Sequence, residues 1–405
     1  MTSTLPFSKL PPGASSSAIS PFTVSFPDSD LKYLKDLLKL TRVPSASFEN
    51  SLPGSDRRLG VRRDWLAQAK TQWESDFDWR KVESKINSFP QFTALVKDTL
   101  GDFNIHFLAL FSEKADAVPL LLLHGWPGSI LEFIGILTLL KDKYTPAALP
   151  YHVIVPSLPG FTFTKLPEGD LVDFDNPDAA RVFDTLATEV LGFKSGYVAQ
   201  GGDIGARIAR VLGGNHPACK AVHLNFCAIL PQPVGEQVKA EDDISEAEKE
   251  GLKRAETWIA TGRAYALEHA TRPATIGFAL ASSPLALLAW VGEKFLDWTD
   301  KDPSIETILE SVTLYWLTHS AHTNIWAYRH TMLPNAKNKP PYISKPFGYS
   351  YFPYELMPIP IAFVRRTGDL VHVNVHTSGG HFAALEEPAT LLADVEDFIK
   401  TVWKS

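Results

Sequence analysis

The stretch GYVAQGGDIGARIARVL, residues 196–212, decides the fold class. A short apolar run typical of a strand ends at two glycines, and a helix-compatible run begins directly after Asp203. Gly201 and Gly205 leave room for a sharp turn that holds the residue between them in a strained backbone conformation. This is the pattern of the nucleophile elbow of α/β-hydrolases, except that aspartate occupies the place of the usual serine.

Aspartate at this place predicts a chemistry different from that of serine. A serine must lose its proton to a base before it attacks, whereas the carboxylate of Asp203 is already an anion at neutral pH. The helix N-terminus favours that charge further. A carboxylate that attacks an sp³ carbon leaves an ester on the enzyme, which water then hydrolyses. The alternative, that Asp203 is only an N-cap, is weaker because a strand and two glycines surround it.

The sequence around the elbow alternates between strand and helix patterns. The continuous apolar run VPLLLL at residues 118–123 is typical of a strand buried on both faces, and further strand and helix patterns follow it as far as KAVHLNF. Such alternation predicts βαβ units and a mostly parallel sheet. Residues 231–345 break the alternation with helical stretches, including one over SVTLYWLTHSAHTNIWAYRH, and strand signals return at PIPIAFVRR. We therefore expect an α/β-hydrolase fold with a helical lid inserted into its core.

Four segments describe the predicted organisation. Residues 1–110 form an N-terminal segment, which begins with a loose Ser/Pro-rich tail of about twenty residues and continues with separate helical stretches that wrap around the core. Residues 111–230 form the first part of the core, residues 231–345 the lid, and residues 346–405 the second part of the core.

Composition excludes several classes of protein. The formal net charge of −7 argues against nucleic-acid binding, which calls for a basic face. Two cysteines, Cys219 and Cys227, cannot form a disulfide framework and favour reduced thiols in the cytoplasm. The most apolar run, residues 278–291, is too short to span a membrane, and the first residues lack a signal-peptide pattern. We expect a soluble protein; whether it is a homodimer stays open.

Other residues complete a hydrolase site. The HGWPG loop at residues 124–128 follows a strand, which assigns the N–H groups of Trp126 and Ile204 to an oxyanion hole. His381, after a glycine pair near the C-terminus, is the expected base. Either Glu355 or Asp369 orients it, and periodicity alone favours Asp369, because this residue follows the supposed strand PIPIAFVRR.

Opening a strained ether also needs a proton donor for the leaving oxygen. Tyrosine suits this role, because it is neutral at pH 7 and can donate from an apolar lid. The lid region offers Tyr265, Tyr315 and Tyr328.

The motifs QGGDIG, HGWPGS, PSLPGFTFT and GGHFAALEEP together resemble the microsomal-type epoxide hydrolases, including their soluble fungal members. The resemblance implies that Asp203 is the nucleophile and His381 the base. It also implies that the acid lies in KPFGYSYFPYEL, residues 345–356, which selects Glu355 and leaves Asp369 as the structural alternative. The ring-opening pair would be Tyr265 and Tyr328.

The resemblance carries further expectations. Tyr315 becomes a packing residue, and the N-terminal segment wraps the core and the lid. The substrate would be a lipophilic epoxide, hydrolysed to a vicinal diol without metal or organic cofactor. The membrane anchor of some relatives is replaced by the Ser/Pro tail, so no stable anchor is expected. Two alternatives are weaker: a haloalkane or haloacetate dehalogenase with the same Asp–His scheme, and a catalytically silent binding protein on the same fold.

Overall fold

The computed structural model describes residues 5–55, 57–167, 172–227, 244–333 and 339–404, and within them nine strands form one sheet. The strands are β1 (Ile19–Pro21), β2 (Gln91–Asp98), β3 (Gly101–Leu110), β4 (Val118–Leu123), β5 (Tyr151–Pro156), β6 (Tyr197–Gly201), β7 (Cys219–Leu224), β8 (Ile343–Tyr351) and β9 (Gly368–Val375). Their spatial order is β1-β2-β3-β5-β4-β6-β7-β8-β9. Three pairs, β1–β2, β2–β3 and β3–β5, are antiparallel and the remaining five pairs are parallel, which confirms the mostly parallel α/β-hydrolase sheet.

The centre of the sheet is buried on both faces. Every residue of β4 is buried, and so is every residue of β5 and β6. A continuous apolar run such as VPLLLL satisfies this position, because neither face of the strand meets water. The carboxyl ends of β4 and β6 therefore meet at one edge of the sheet, where the chain leaves each strand for a loop.

Helices cover the sheet and build the lid. The helices of the described residues are α1 (Asp28–Leu40), α2 (Arg63–Ser75), α3 (Trp79–Asn87), α4 (Ile134–Lys143), α5 (Asn176–Thr185), α6 (Asp203–Asn215), α7 (Glu246–Thr257), α8 (Ala264–Thr271), α9 (Pro273–Ser282), α10 (Pro284–Trp298), α11 (Ile305–Leu317), α12 (Ile361–Arg365), α13 (Ala383–Glu386) and α14 (Pro388–Val402). α6 packs on β4, β6, β7 and β8, and α14 packs on α4 and β8. α7 to α11 form the helical region between β7 and β8. Among the described residues, no single helix is long and apolar enough to cross a membrane, although the sharply bent pair α9 and α10 meets that test together.

The N-terminal segment has two roles in the fold. Its strands β2 and β3 extend the central sheet, which the sequence pattern did not predict, whereas its helices pack on the outer side of the lid through contacts of α1 and α2 with α10 and of α2 and α3 with α11. Ion pairs cross this boundary: Lys85 meets Glu310, and Nη1 of Arg57 lies 3.0 Å from a carboxylate oxygen of Asp302.

Three local expectations are wrong. From residue 5 onward the tail is not loose: Phe7 is buried and its carbonyl accepts a 3.0 Å hydrogen bond from the Phe111 N–H. PIPIAFVRR contains the helix α12 rather than a strand, because proline starts a helix well and interrupts a ladder. The long helix of the lid ends at Leu317, and His319 follows in the left-handed region with φ 51°.

The boundary predicted between residues 230 and 231 lies outside the described residues, as does the start of the lid up to residue 243. The division into four segments stays a prediction.

Candidate active site

The elbow places Asp203 above the carboxyl end of β6, as the first residue of α6. Its φ of 46° lies in the left-handed region, which is strained for a residue with a side chain. A Cβ atom on Gly201 would collide with the backbone of Gly205, and one on Gly205 would collide with the carbonyl of Leu123. The glycines thus allow α6 to start close against two strands, and this tight packing holds the strained Asp203 in place.

The carboxylate of Asp203 has three polar neighbours. Oδ1 accepts a 2.7 Å hydrogen bond from the N–H of Trp126, and Oδ2 lies 3.5 Å from Nε2 of His381. Burial raises the pKa of Asp203, but the imidazole of His381 and the N–H groups of Trp126 and Ile204 outweigh it, so the net shift of that pKa is downward. Asp203 is therefore held as an anion against the two predicted oxyanion donors.

His381 is held from its other side by Glu355. Nδ1 of His381 donates a 2.6 Å hydrogen bond to Oε1 of Glu355, and both side chains are almost fully buried. Burial alone would lower the pKa of His381, yet the charges of Glu355 and Asp203 raise it well above its ordinary value. The imidazole thus sits between two carboxylates, with its tautomer and orientation fixed by Glu355.

Backbone contacts bring these two residues together. Tyr354 forms an isolated parallel bridge with Gly380, and its N–H donates to the carbonyl of Gly379 at 3.1 Å. The segment carrying Glu355 therefore runs beside the loop carrying His381. In addition, Nε of Arg254 in α7 donates to the Glu355 carbonyl at 2.8 Å, which ties α7 to the segment that holds His381.

The structure does not bring Asp369 to His381. Asp369 is the second residue of β9 and is exposed, and the carboxyl end of that parallel strand is Val375. The amino ends of parallel strands lie at the edge opposite to the site. The sequence pattern favoured Asp369 because PIPIAFVRR was interpreted as a strand, which would have placed the residue at a carboxyl end.

Tyr265 and Tyr328 face the carboxylate together. Both are buried, and with Asp203 they line a cavity of about 220 Å³. Their rings are in contact, with centroids 5.7 Å apart. The pKa of each is raised first by burial and also by the charge of Asp203, so both stay protonated. The ring of Tyr265 stacks on that of Trp126 with centroids 5.2 Å apart.

Tyr315 has a different role in this arrangement. Its hydroxyl donates to the Gly128 carbonyl at 2.6 Å and thus anchors the HGWPG loop rather than facing Asp203.

Sequence reasoning missed Glu132. This residue lies in the apolar stretch ILEFIGIL and, with Asp203 and His381, lines a small space of about 10 Å³, close to the volume that one water requires. Burial raises the pKa of Glu132 to about 8; the positive charge of His381 and the N–H groups of Gly125 and Ser129 oppose the shift. An acidic residue inside an apolar run was the signal that could have revealed it.

Comparisons with known proteins find similarity along almost the whole chain. The chain matches the family model described as "Epoxide hydrolase N terminus" over residues 19–133 and that of the alpha/beta hydrolase fold over residues 118–232. A curated protein of Dothistroma septosporum is 47% identical over 383 residues, 94% of this chain and 89% of the relative. Epoxide hydrolase 1 of Oryctolagus cuniculus is 29% identical over 97% of this chain and 91% of its own length. The structure of the Aspergillus niger epoxide hydrolase superposes with a TM-score of 0.91, at 50% identity, over 98% of this chain and all of that one.

Proposed function

Because the chain belongs to the epoxide hydrolase family, and its substrates are accordingly an epoxide and water, we propose a covalent mechanism in which Asp203 is the nucleophile. The observation that carries the proposal is the position of the Asp203 carboxylate, which lies between the Trp126 N–H at 2.7 Å and His381 at 3.5 Å and lines one cavity with Tyr265 and Tyr328. The products of the proposed reaction are one vicinal diol and the regenerated enzyme.

In the first step Oδ2 of Asp203 attacks an epoxide carbon from the rear. Oδ1 remains with the N–H groups of Trp126 and Ile204 and becomes the carbonyl oxygen of the ester. The C–O bond of the ring breaks, and the oxygen takes a proton from Tyr265 or Tyr328. A raised tyrosine pKa keeps that proton available at neutral pH.

In the second step His381 activates a water that attacks Cγ of Asp203. Ester formation has removed the negative charge of Asp203, one of the two causes that raise the pKa of His381. The pKa of His381 therefore falls, which favours the neutral imidazole, the form that can accept a proton from water. The N–H groups of Trp126 and Ile204 hold the tetrahedral oxyanion. The Cγ–Oδ2 bond then breaks; the two protons of water restore the tyrosine and complete the second hydroxyl of the diol.

The size and lining of the cavity support a lipophilic epoxide as the substrate. The side chains around Asp203 are mostly apolar: Ile204, Phe226, Trp258, Ile259, Ala327, Met332, Leu356 and Met357. Burial of such surface favours ligands with aliphatic or aromatic substituents.

Single-turnover hydrolysis in H₂¹⁸O with excess enzyme tests the covalent route. The first diol should be unlabelled, and the peptide containing Asp203 should carry the label. A labelled first diol means direct attack of water and rejects the proposal. Halide release from chloroalkanes, assayed beside diol formation from styrene oxide, tests the dehalogenase alternative.

We also propose a cytoplasmic location, supported by Cys219 and Cys227, which are buried free thiols. Analytical ultracentrifugation tests whether the enzyme is a homodimer.

A further inference from the structure

A second cavity of about 140 Å³ adjoins the active-site cavity. The two share Arg207, Phe226 and Thr331 as lining residues. Three cationic side chains line the second cavity, those of Arg207, Arg210 and Lys339, and no Asp or Glu is among its lining residues in the described part of the chain. A concave site lined by one sign of charge raises the local concentration of the opposite charge.

Arg207 is the cation at the junction of the two cavities. It lies one helical turn after Asp203 in α6, and side chains on a helix tilt toward its N-terminus, which here is the active-site end. Arg207 is half-buried and has no hydrogen-bond or ion-pair partner within the residues that the structure describes. Burial lowers the pKa of Arg207, and attraction to the Asp203 carboxylate opposes that shift.

Arg210, about one helical turn after Arg207 in α6, is an arginine whose guanidinium has hydrogen-bond partners. Its guanidinium donates to the Thr367 carbonyl at 2.9 Å and to Sγ of Cys227 at 3.3 Å. A guanidinium removed from water without such partners is costly, and an anionic ligand would offset that cost through charge-assisted hydrogen bonds. Of the two arginines in this cavity, Arg207 is thus the one that remains available to a ligand, and it is less exposed than Lys339.

The active-site cavity has the same charge imbalance. Its charged lining residues are Asp203, Arg207 and Arg263. Once Asp203 has become an ester, two arginines remain there without a carboxylate. During the covalent intermediate, the charged side chains that line this cavity are therefore both positive.

We propose that the second cavity binds the carboxylate of an acidic epoxide, a substrate with the ring at one end of an aliphatic chain and the acid at the other, and that Arg207 forms its ion pair. The inference rests on the proposed function, because the ring must lie between Asp203 and the tyrosines. A planar carboxylate matches the two parallel N–H donors of a guanidinium, and the apolar cavity wall accommodates the chain.

Matched substrates test the assignment. The test substrates are straight-chain acids of six, eight and ten carbons with an epoxide at the end opposite the carboxylate. Each is compared with its primary amide, which has a similar shape but no charge. For the chain length that fits, the wild-type enzyme should prefer the acid in kcat/KM. In Arg207→Met the ratio of acid to amide should fall about tenfold or more, because one partner of a desolvated ion pair is lost. Arg207→Lys should restore part of the ratio.

A second measurement separates binding from chemistry. Octanoate should inhibit styrene oxide hydrolysis at lower concentration than octanamide, and Arg207→Met should remove that difference. Lys220→Met removes an exposed positive charge of β7 outside both cavities and should leave the acid-to-amide ratio within about twofold.

The outcomes separate the carboxylate site from the epoxide hydrolase mechanism. Equal acid-to-amide ratios in the wild type and Arg207→Met, together with active hydrolysis of styrene oxide, overturn the carboxylate site and leave the epoxide hydrolase mechanism intact. Absence of turnover with every epoxide rejects the mechanism itself.

Discussion

The backbone N–H of Trp126 donates to Oδ1 of Asp203 at 2.7 Å, so a donor suited to the tetrahedral oxyanion already holds the carboxylate in the resting enzyme. In the proposed mechanism, little reorganisation is then required when the charge moves from the carboxylate to the tetrahedral intermediate and back. The contact depends on Gly125, since a Cβ atom at that position would collide with the Asp203 side chain.

Replacing His381 with glutamine should separate the two chemical steps. The variant keeps Asp203 and the tyrosines, so it should be alkylated by styrene oxide but release diol slowly, at about 10²-fold or more below wild type. Intact-protein mass spectrometry should show the added mass of one substrate. Asp203→Asn should show no such adduct, and normal turnover of His381→Gln would identify another base.

Replacing Glu355 with glutamine should impair the base. The imidazole loses a buried anion that fixes its tautomer, and we expect kcat to fall by about 10²- to 10⁴-fold. Asp369→Asn serves as the matched control, because Asp369 is exposed at the far end of β9 and should leave kcat unchanged. The reverse pattern would transfer the role of the acid to Asp369.

Each ring-opening tyrosine should contribute separately to alkylation of the enzyme. Tyr265→Phe and Tyr328→Phe should each slow the alkylation rate measured by stopped-flow tryptophan fluorescence by about 10- to 10²-fold, and the double variant should not be alkylated measurably. Hydrolysis of the ester, once formed, should change less.

Tyr315→Phe is the control for these two variants, because Tyr315 is expected to act in packing and not in ring opening. It removes one buried hydrogen bond to Gly128, so it should cost about 1 kcal/mol in the free energy of unfolding. If Tyr315→Phe instead reproduced the loss of alkylation seen with the other two, the assignment of the ring-opening pair would be wrong.

Glu132 predicts a pH dependence of stability. Its pKa is about 8 in the folded protein against 4.5 ordinarily, so the folded state retains a proton that the unfolded state has lost. Stability from this group is complete below pH 4.5 and decreases up to pH 8. Glutamine at position 132 does not titrate. The free energy of unfolding of Glu132→Gln relative to wild type should therefore rise between pH 4.5 and pH 8, by up to roughly 1.4 kcal/mol per pH unit. Urea denaturation at several pH values measures it; a constant difference contradicts the raised pKa.

Local patterns were enough to predict the centre of the molecule. The continuous apolar run of β4 and the glycines around Asp203 each require one backbone arrangement, so the sheet and the elbow followed from the sequence. PIPIAFVRR did not, because a short apolar run fits a strand and a helix equally and only tertiary packing selects one.

Residues that act through long-range contacts could not be predicted in this way. The position of Glu355 beside His381 depends on a bridge between Tyr354 and Gly380, which no local pattern encodes. The raised pKa of Glu132 comes from burial, and Arg207 lacks a hydrogen-bond or ion-pair partner among the described residues; both properties exist only after the chain has folded.

The packing of α1, α2 and α3 on the outer side of α10 and α11 has a consequence for engineering. Exchanging the lid would leave the N-terminal helices without their packing partners. It would also remove Asp302, which pairs with Arg57, and Glu310, which pairs with Lys85. A lid grafted into this fold should therefore be transferred together with residues 22–98, which carry the helices that pack on it.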